Sequence, residues 1–247
     1  MKIEQGVLIP STMQPVNEGV TGAFYAIVNV TGLSQRCVVK KVGEREIAAE
    51  CFCGLLGRHL DLPVLTPVIV TDPRDQSYWF GSRDASYPSL KTRLGIGDQF
   101  NQPQLIAVAE ILSTWSQVGQ TISFDELIAN GDRNVGNVLW NGVVFTIIDH
   151  ERSMGIHPMT QNVLAKLVTG LMNGSYVATI QSSSTSYAMA QQALLNVETT
   201  IWDSIKSEFQ KLPATISQHF DVFQALAGSR ATALPINTAN AMTPLLA

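Results

Sequence analysis

Residues 23–30 and 36–42 are dense in Val, Ile, Tyr and Phe, the types that suit a pleated, half-buried surface. The short turn Thr31-Gly32-Leu33-Ser34 joins them, and the pair predicts a β-hairpin. After Gly43 the period changes. Over residues 44–60, Ile47, Cys51, Leu55 and Leu56 recur on one helical face, and Asp61-Leu62-Pro63 closes the helix. Residues 64–70, interrupted by Pro67, read as an edge strand. A turn at Asp72-Pro73-Arg74-Asp75 precedes a short strand at Tyr78-Trp79-Phe80-Gly81.

From Ser82 to about Asn101 the chain is polar and irregular, a crossing between two differently patterned halves. Pro103 opens a helix to about Val118, with Leu105, Val108, Ile111, Leu112 and Trp115 at helical spacing. A further helix beginning at 124 is broken by Asn130-Gly131. Residues 138–140 and 143–148 flank Asn141-Gly142, which matches a two-residue type I′ hairpin turn. Residues 160–172, 186–210 and 213–227 are helical by pattern. The Ser/Thr run 182–186 reads as a polar linker, and the Ala/Thr/Asn/Pro-rich tail from Ser229 as loose. The expected class is therefore α+β: a β-rich N-terminal lobe with one helix (1–84), a mainly helical C-terminal lobe carrying one hairpin (85–228), and a loose tail (229–247).

Composition narrows the function. The chain has 247 residues, with 16 Lys and Arg against 20 Asp and Glu, hence a net charge of −4. No basic run offers the dense positive charge that nucleic acid or an anionic membrane demands, so neither is an expected partner. Charged residues make up only 15%, below the usual ~25%; Ser, Thr, Gln and Asn must cover the surface, and residues 181–200 are a candidate partner face. Cys37, Cys51 and Cys53 have no zinc spacing and read as buried, reduced thiols of a cytoplasmic protein. The N-terminus lacks a signal-peptide pattern, and no apolar run approaches the roughly 20 residues of a membrane span.

One stretch carries chemistry: Asn130-Gly131-Asp132-Arg133-Asn134-Val135-Gly136-Asn137, then the hairpin, then Ile147-Ile148-Asp149-His150. A helix ends in a tight loop that presents Asp132. Asn137 begins a strand whose partner ends on Asp149, so the two lie at the same open end of the hairpin. Two carboxylates and an amide oxygen there form the oxygen set that a hard cation such as Mg²⁺ takes. A carboxylate at the mouth of a buried strand also needs a partner or a metal, because an unpaired buried charge is costly. In the N-terminal lobe, Val38-Val39-Lys40 places an amine on the inward face of a strand, and Glu50, among Ala48, Ala49 and Cys51, is a candidate inward partner for it.

Asn-x-Asp-Arg-x-x-x-Asn-x-Leu, a short hairpin and Ile-Asp-His resemble the catalytic and metal loops of the HipA-like kinases, and are similar to those of the phosphatidylinositol 3- and 4-kinase group of the protein-kinase-like fold. Val-Val-Lys, Ala-Ala-Glu and Leu62-Pro63-Val64 extend the match over about residues 19–155. The resemblance implies a two-lobed kinase fold that uses ATP and Mg²⁺. It implies Asp132 as the catalytic aspartate, Asn137 and Asp149 as metal ligands, Lys40 as the phosphate-contacting lysine and Glu50 as its ion-pair partner. The turn containing Gly19, Thr21 and Gly22 sits where a phosphate-covering loop belongs, and a hinge for adenine falls near residues 78–90.

The chain departs from protein kinases in lacking Gly-x-Gly-x-x-Gly, His-Arg-Asp and Ala-Pro-Glu, and in carrying His150-Glu151 after Asp149. Fewer than 100 residues follow Asp149, too few for the usual peptide-docking apparatus. The reading favoured is a HipA-like kinase acting on a Ser or Thr of a protein. A lipid or small-molecule kinase of the same fold and a nucleotide-binding pseudokinase are the alternatives.

Overall fold

The computed structural model describes residues 1–16, 22–97, 99–171 and 174–243. The first part is a strand array: β1 (Glu4–Leu8), β2 (Gln14–Pro15), β3 (Phe24–Val30), β4 (Leu33–Lys40), β5 (Pro67–Thr71) and β6 (Tyr78–Arg83), in the order β1-β5-β6-β4-β3-β2. β1 also pairs with β3, Gly6 opposite Val30, so five of the strands close into a ring. Closure needs Gly6: a Cβ there would lie 2.6 Å from Val28 and 2.8 Å from the Asn29 carbonyl. Leu8, Val28, Val30, Cys37, Val39, Val68, Val70 and Trp79 fill the ring.

β3 and β4 form the expected hairpin. β5, by contrast, is no edge: it lies between β1 and β6. Pro67 is tolerated because it is the first residue of the strand.

Helix α1 (Glu44–His59) lies outside the ring and is buried on every side, not on one face. The reason is that helices from the far end of the chain cover its other flank. Phe52 packs against Trp202, Phe209, Phe220 and Phe223, which belong to α7 (Thr199–Phe209) and α9 (Phe220–Thr232). One apolar core thus runs from α1 through the C-terminal helices and crosses the boundary expected near residue 84. All three cysteines are free and buried; burial pushes Cys37 up to about 11 and the other two well above the ordinary thiol range, which leaves them unreactive.

The helical part, which opens with the short α2 (Leu90–Arg93) and has the short α8 (Ala214–Ser217) between α7 and α9, differs from its pattern in several places. Two helices, α3 (Gln102–Ser113) and α4 (Val118–Leu127), replace the expected 103–118 helix and the start at 124. α5 spans Val163–Leu171. The 182–186 run is no linker: it lies within α6 (Gly174–Val197), where Ser183 and Ser184 pack closely on Gly119 of α4. Small residues on both sides let the two helices approach, which is why Ser184 is buried within a polar run whose ends, Ser182 and Ser186, stay exposed. Nor is the tail loose over the described residues. α9 continues to Thr232, and α10 (Leu234–Ala241) buries Leu234 and Thr238, with Met242 buried just beyond it.

Strands β7 (Val138–Trp140) and β8 (Phe145–Ile147) form the second hairpin, Val138 opposite Ile147. Its connection is four residues, not two. The Asn141 side chain accepts hydrogen bonds from the amides of Val143 and Val144, which holds both outside the strand and exposes them. The hairpin is wedged between the segment after α1 and the segment after β6. The Ile147 amide donates to Pro63 at 2.9 Å, and the Trp140 amide to Pro88 at 3.0 Å. This clamp brings the end of β8 against α1. Among the described residues, no helix is long and apolar enough to cross a membrane.

Candidate active site

Strand alternation sets the first group. Cys37 and Val39 point into the ring, so Lys40 leaves β4 on the outer face, toward α1. Its amine donates to Asp149 Oδ1 at 2.7 Å and to Glu151 Oε2 at 3.4 Å, and stands 4.0 Å from Glu50 Oε1. The side chain is 12% exposed. Burial works against its charge, but the carboxylates of Glu50, Asp149 and Glu151 more than offset that, so its pKa is raised.

Glu50 comes from the middle of α1. His150 Nδ1 donates to its Oε2 at 3.2 Å, while Oε1 is buried without a hydrogen bond. Burial pushes its carboxyl up; the His150 hydrogen bond and the Lys40 charge overcome this, and the net direction is down. Glu151 goes the other way. Burial, with Asp149 and Glu50 close by, outweighs the pull of Lys40 and raises its pKa. Oxygens of Glu50, Asp149 and Glu151 lie within 4.8 Å of one another. One ammonium therefore faces three carboxylates.

Asp149 sits at φ +68°, in the left-handed region. That backbone costs a non-glycine residue on the order of 1 kcal/mol or more and persists only where neighbours hold it. Arg133 is the holder. It is fully buried, and its guanidinium binds Asp125 of α4 at 3.1–3.4 Å, the Asn137 carbonyl at 3.4 Å and the Ile148 carbonyl. Burial raises Asp125 against the pull of Arg133. Asn130 adds a bond to Asp125 at 3.0 Å and accepts one from the Asp132 amide at 3.1 Å. A single buried cation thus ties α4, the 130–137 loop and the residue before Asp149 into one unit.

Asn137 completes that unit. Its side-chain NH₂ donates to the Asp132 carbonyl at 2.8 Å, and its own carbonyl accepts from the Ile148 amide at 3.2 Å. Its Oδ1 makes no hydrogen bond within the described residues. The Asp132 carboxylate makes no bond to Asn137 or Arg133; its Oδ1 accepts from the Asn134 side chain at 3.3 Å. The carboxylate is 42% exposed and 3.7 Å from Arg152.

The structure therefore brings Lys40, Glu50 and Asp149 into contact and ties Asn137 to the backbone on both sides of the site. Asp132 presents its carboxylate on the same loop, half exposed and held by Asn134 and Arg152. Gly22 has φ +62° and open space around it. Gly19 and Thr21 lie outside the described residues. Pattern reading passed over Glu151, His150, Arg133 and Asp125. The signal for Asp125 was present, since Asp125-Glu126 interrupts a buried helix. In the sequence, His150-Glu151 stands out only as a departure from protein kinases.

No family model matches the chain, and no curated protein matches it in sequence. Its fold is similar to that of the crystal structure of a Helicobacter pylori proinflammatory kinase, CtkA, with a TM-score of 0.58 at 12% identity over 95% of both chains. The fold is accordingly a mixed α+β, kinase-like one.

Proposed function

We propose that the protein is an ATP- and Mg²⁺-dependent kinase of HipA-like type that transfers the γ-phosphate to a Ser or Thr of a protein. One observation carries the reading. The amine of Lys40, the carboxylate of Glu50 and the carboxylate of Asp149 come from a strand, a helix and a hairpin end, and meet within 4.0 Å of that amine. Its kinase-like fold neighbour supports the same reading.

The residues fit a divalent cation. The carboxylates outnumber the amine, Glu50 Oε1 is buried without a hydrogen bond, and every donor is oxygen, as hard cations prefer. Asp149 and Asn137 Oδ1 would hold the ion, which when bound neutralises charge on the phosphate oxygens. Lys40 binds the phosphates as a point charge and Glu50 holds it in place. Asp132 orients the acceptor hydroxyl and takes its proton. On the resemblance, Gly19, Thr21 and Gly22 would be the phosphate-contacting residues. Phosphoryl transfer asks little more than this positioning and charge neutralisation.

The test is labelled-ATP transfer to protein acceptors by the wild type, Asp132→Asn and Asp149→Asn, with thermal melting to confirm folding. Both variants should lose transfer by at least about 10²-fold, the usual scale for general-base loss. Wild-type rates in either would end the proposal.

A further inference from the structure

An open cavity of about 340 Å³ lies beside the Asp132 loop. Glu126, Met159, Gln161, Arg230, Asn237 and Asn240 are among its walls. It adjoins the loop directly: a Cβ on Gly131, the residue before Asp132, would lie 3.3 Å from the Gln161 carbonyl and 3.4 Å from Met159 Cα. The wall from α10 exists only because the chain's last described helix folds back onto α4 and α6.

The charges in this cavity cancel. Arg230 donates to the Glu126 carbonyl at 2.5 Å and to its Oε2 at 3.3 Å, and Asn162 donates to its Oε1 at 3.2 Å. The only cation among the walls is thus already taken, which leaves nothing for an anionic headgroup. What remains open is uncharged. Asn237 and Asn240 make no side-chain hydrogen bond within the described residues, and the Gln161 amide uses only its oxygen, on Lys166. A carboxamide offers a donor and an acceptor side by side, the complement of a peptide unit. Asn237 and Asn240 are three residues apart on one helix and so are neighbours on its surface.

We infer that this cavity is the acceptor subsite and takes an uncharged, hydrogen-bonding stretch of polypeptide next to the residue to be phosphorylated. The inference rests on the kinase reading and specifies its substrate.

The full-length chain is given labelled ATP with a degenerate Ser/Thr peptide library and, separately, with phosphatidylinositol vesicles. The best peptide is then used to compare the wild type with the Asn237→Leu/Asn240→Leu double variant. Loss of two neutral hydrogen bonds should raise the KM for the peptide about ten-fold, with kcat and ATP affinity held. A second variant, Asn240→Asp, should shift library selection toward Lys or Arg at one position. Active wild type with KM and selection unmoved in both variants would overturn the subsite. So would transfer confined to the vesicles. A wild type that neither binds nor uses ATP removes the kinase reading itself, and the subsite with it.

Discussion

Lys40 is the residue on which the charge balance turns. Its raised pKa stabilises the folded state fully below the unfolded lysine value, and this is lost as pH rises through the folded one. The lowered pKa of Glu50 contributes above the unfolded carboxyl value and fades as pH falls through the folded one. Lys40→Met removes the shared cation and leaves Glu50 and Glu151 without their main counter-charge. Their carboxyls then titrate higher when folded, so acid helps the variant. The melting-temperature gap to wild type should be largest near pH 7 and shrink toward pH 5. A gap that stays constant would contradict the ion-pair account. Arg133→Met is expected to cost about 3–5 kcal/mol, since it strands the buried Asp125 carboxylate, and so to lower the melting temperature on the order of 10 °C. A change of only a degree or two would mean that Asp125 finds another partner.

At this scale the sequence was informative where a residue's role follows from its position on a strand or beside a loop. Lys40 and Glu50 can be paired on paper because strand alternation and the buried neighbours of Glu50 aim them inward, whereas the sequence places Asp149 beside Asn137 and not against Lys40. Arg133 cannot be paired on paper. A buried guanidinium has no local signature, and its partners Asp125 and the Ile148 carbonyl are set by tertiary packing.

Among the elements, local pattern named most helices and strands and misplaced what surrounds them. Pro67 suggested an edge, but the pairing of β1 with both β5 and β3 is a long-range event that encloses it. Asn141-Gly142 suggested a tight turn, but the Asn141 side chain captures two amides and lengthens the loop. The tail looked loose because its composition is poor in large apolar residues. Yet Leu234 and Met242 are spaced so that both reach the core. Ending the chain after Thr232 removes those two anchors, each worth roughly 1.5–3 kcal/mol of burial. The urea midpoint of that truncation should fall clearly, with a loss of several kcal/mol. An unchanged midpoint would show that α10 is an appendage.

For the whole molecule, the arrangement joins a closed strand ring to a helical body through α1 and the wedged hairpin, and the charged cluster lies where the two meet. The overall class was legible because the pattern changes from period 2 to helical spacing along the chain. The depth of the joining was not, because the packing of Phe52 on α7 and α9 links residues some 150 positions apart or more. The central claim is that this junction holds a nucleotide through a metal. Titration calorimetry with ATP, with and without Mg²⁺, on the wild type and Asp149→Asn tests it most directly. The expected result is Mg²⁺-dependent binding that weakens at least about ten-fold in the variant, a difference of roughly 1.4 kcal/mol. Equal binding by both proteins, or none by the wild type, would contradict it.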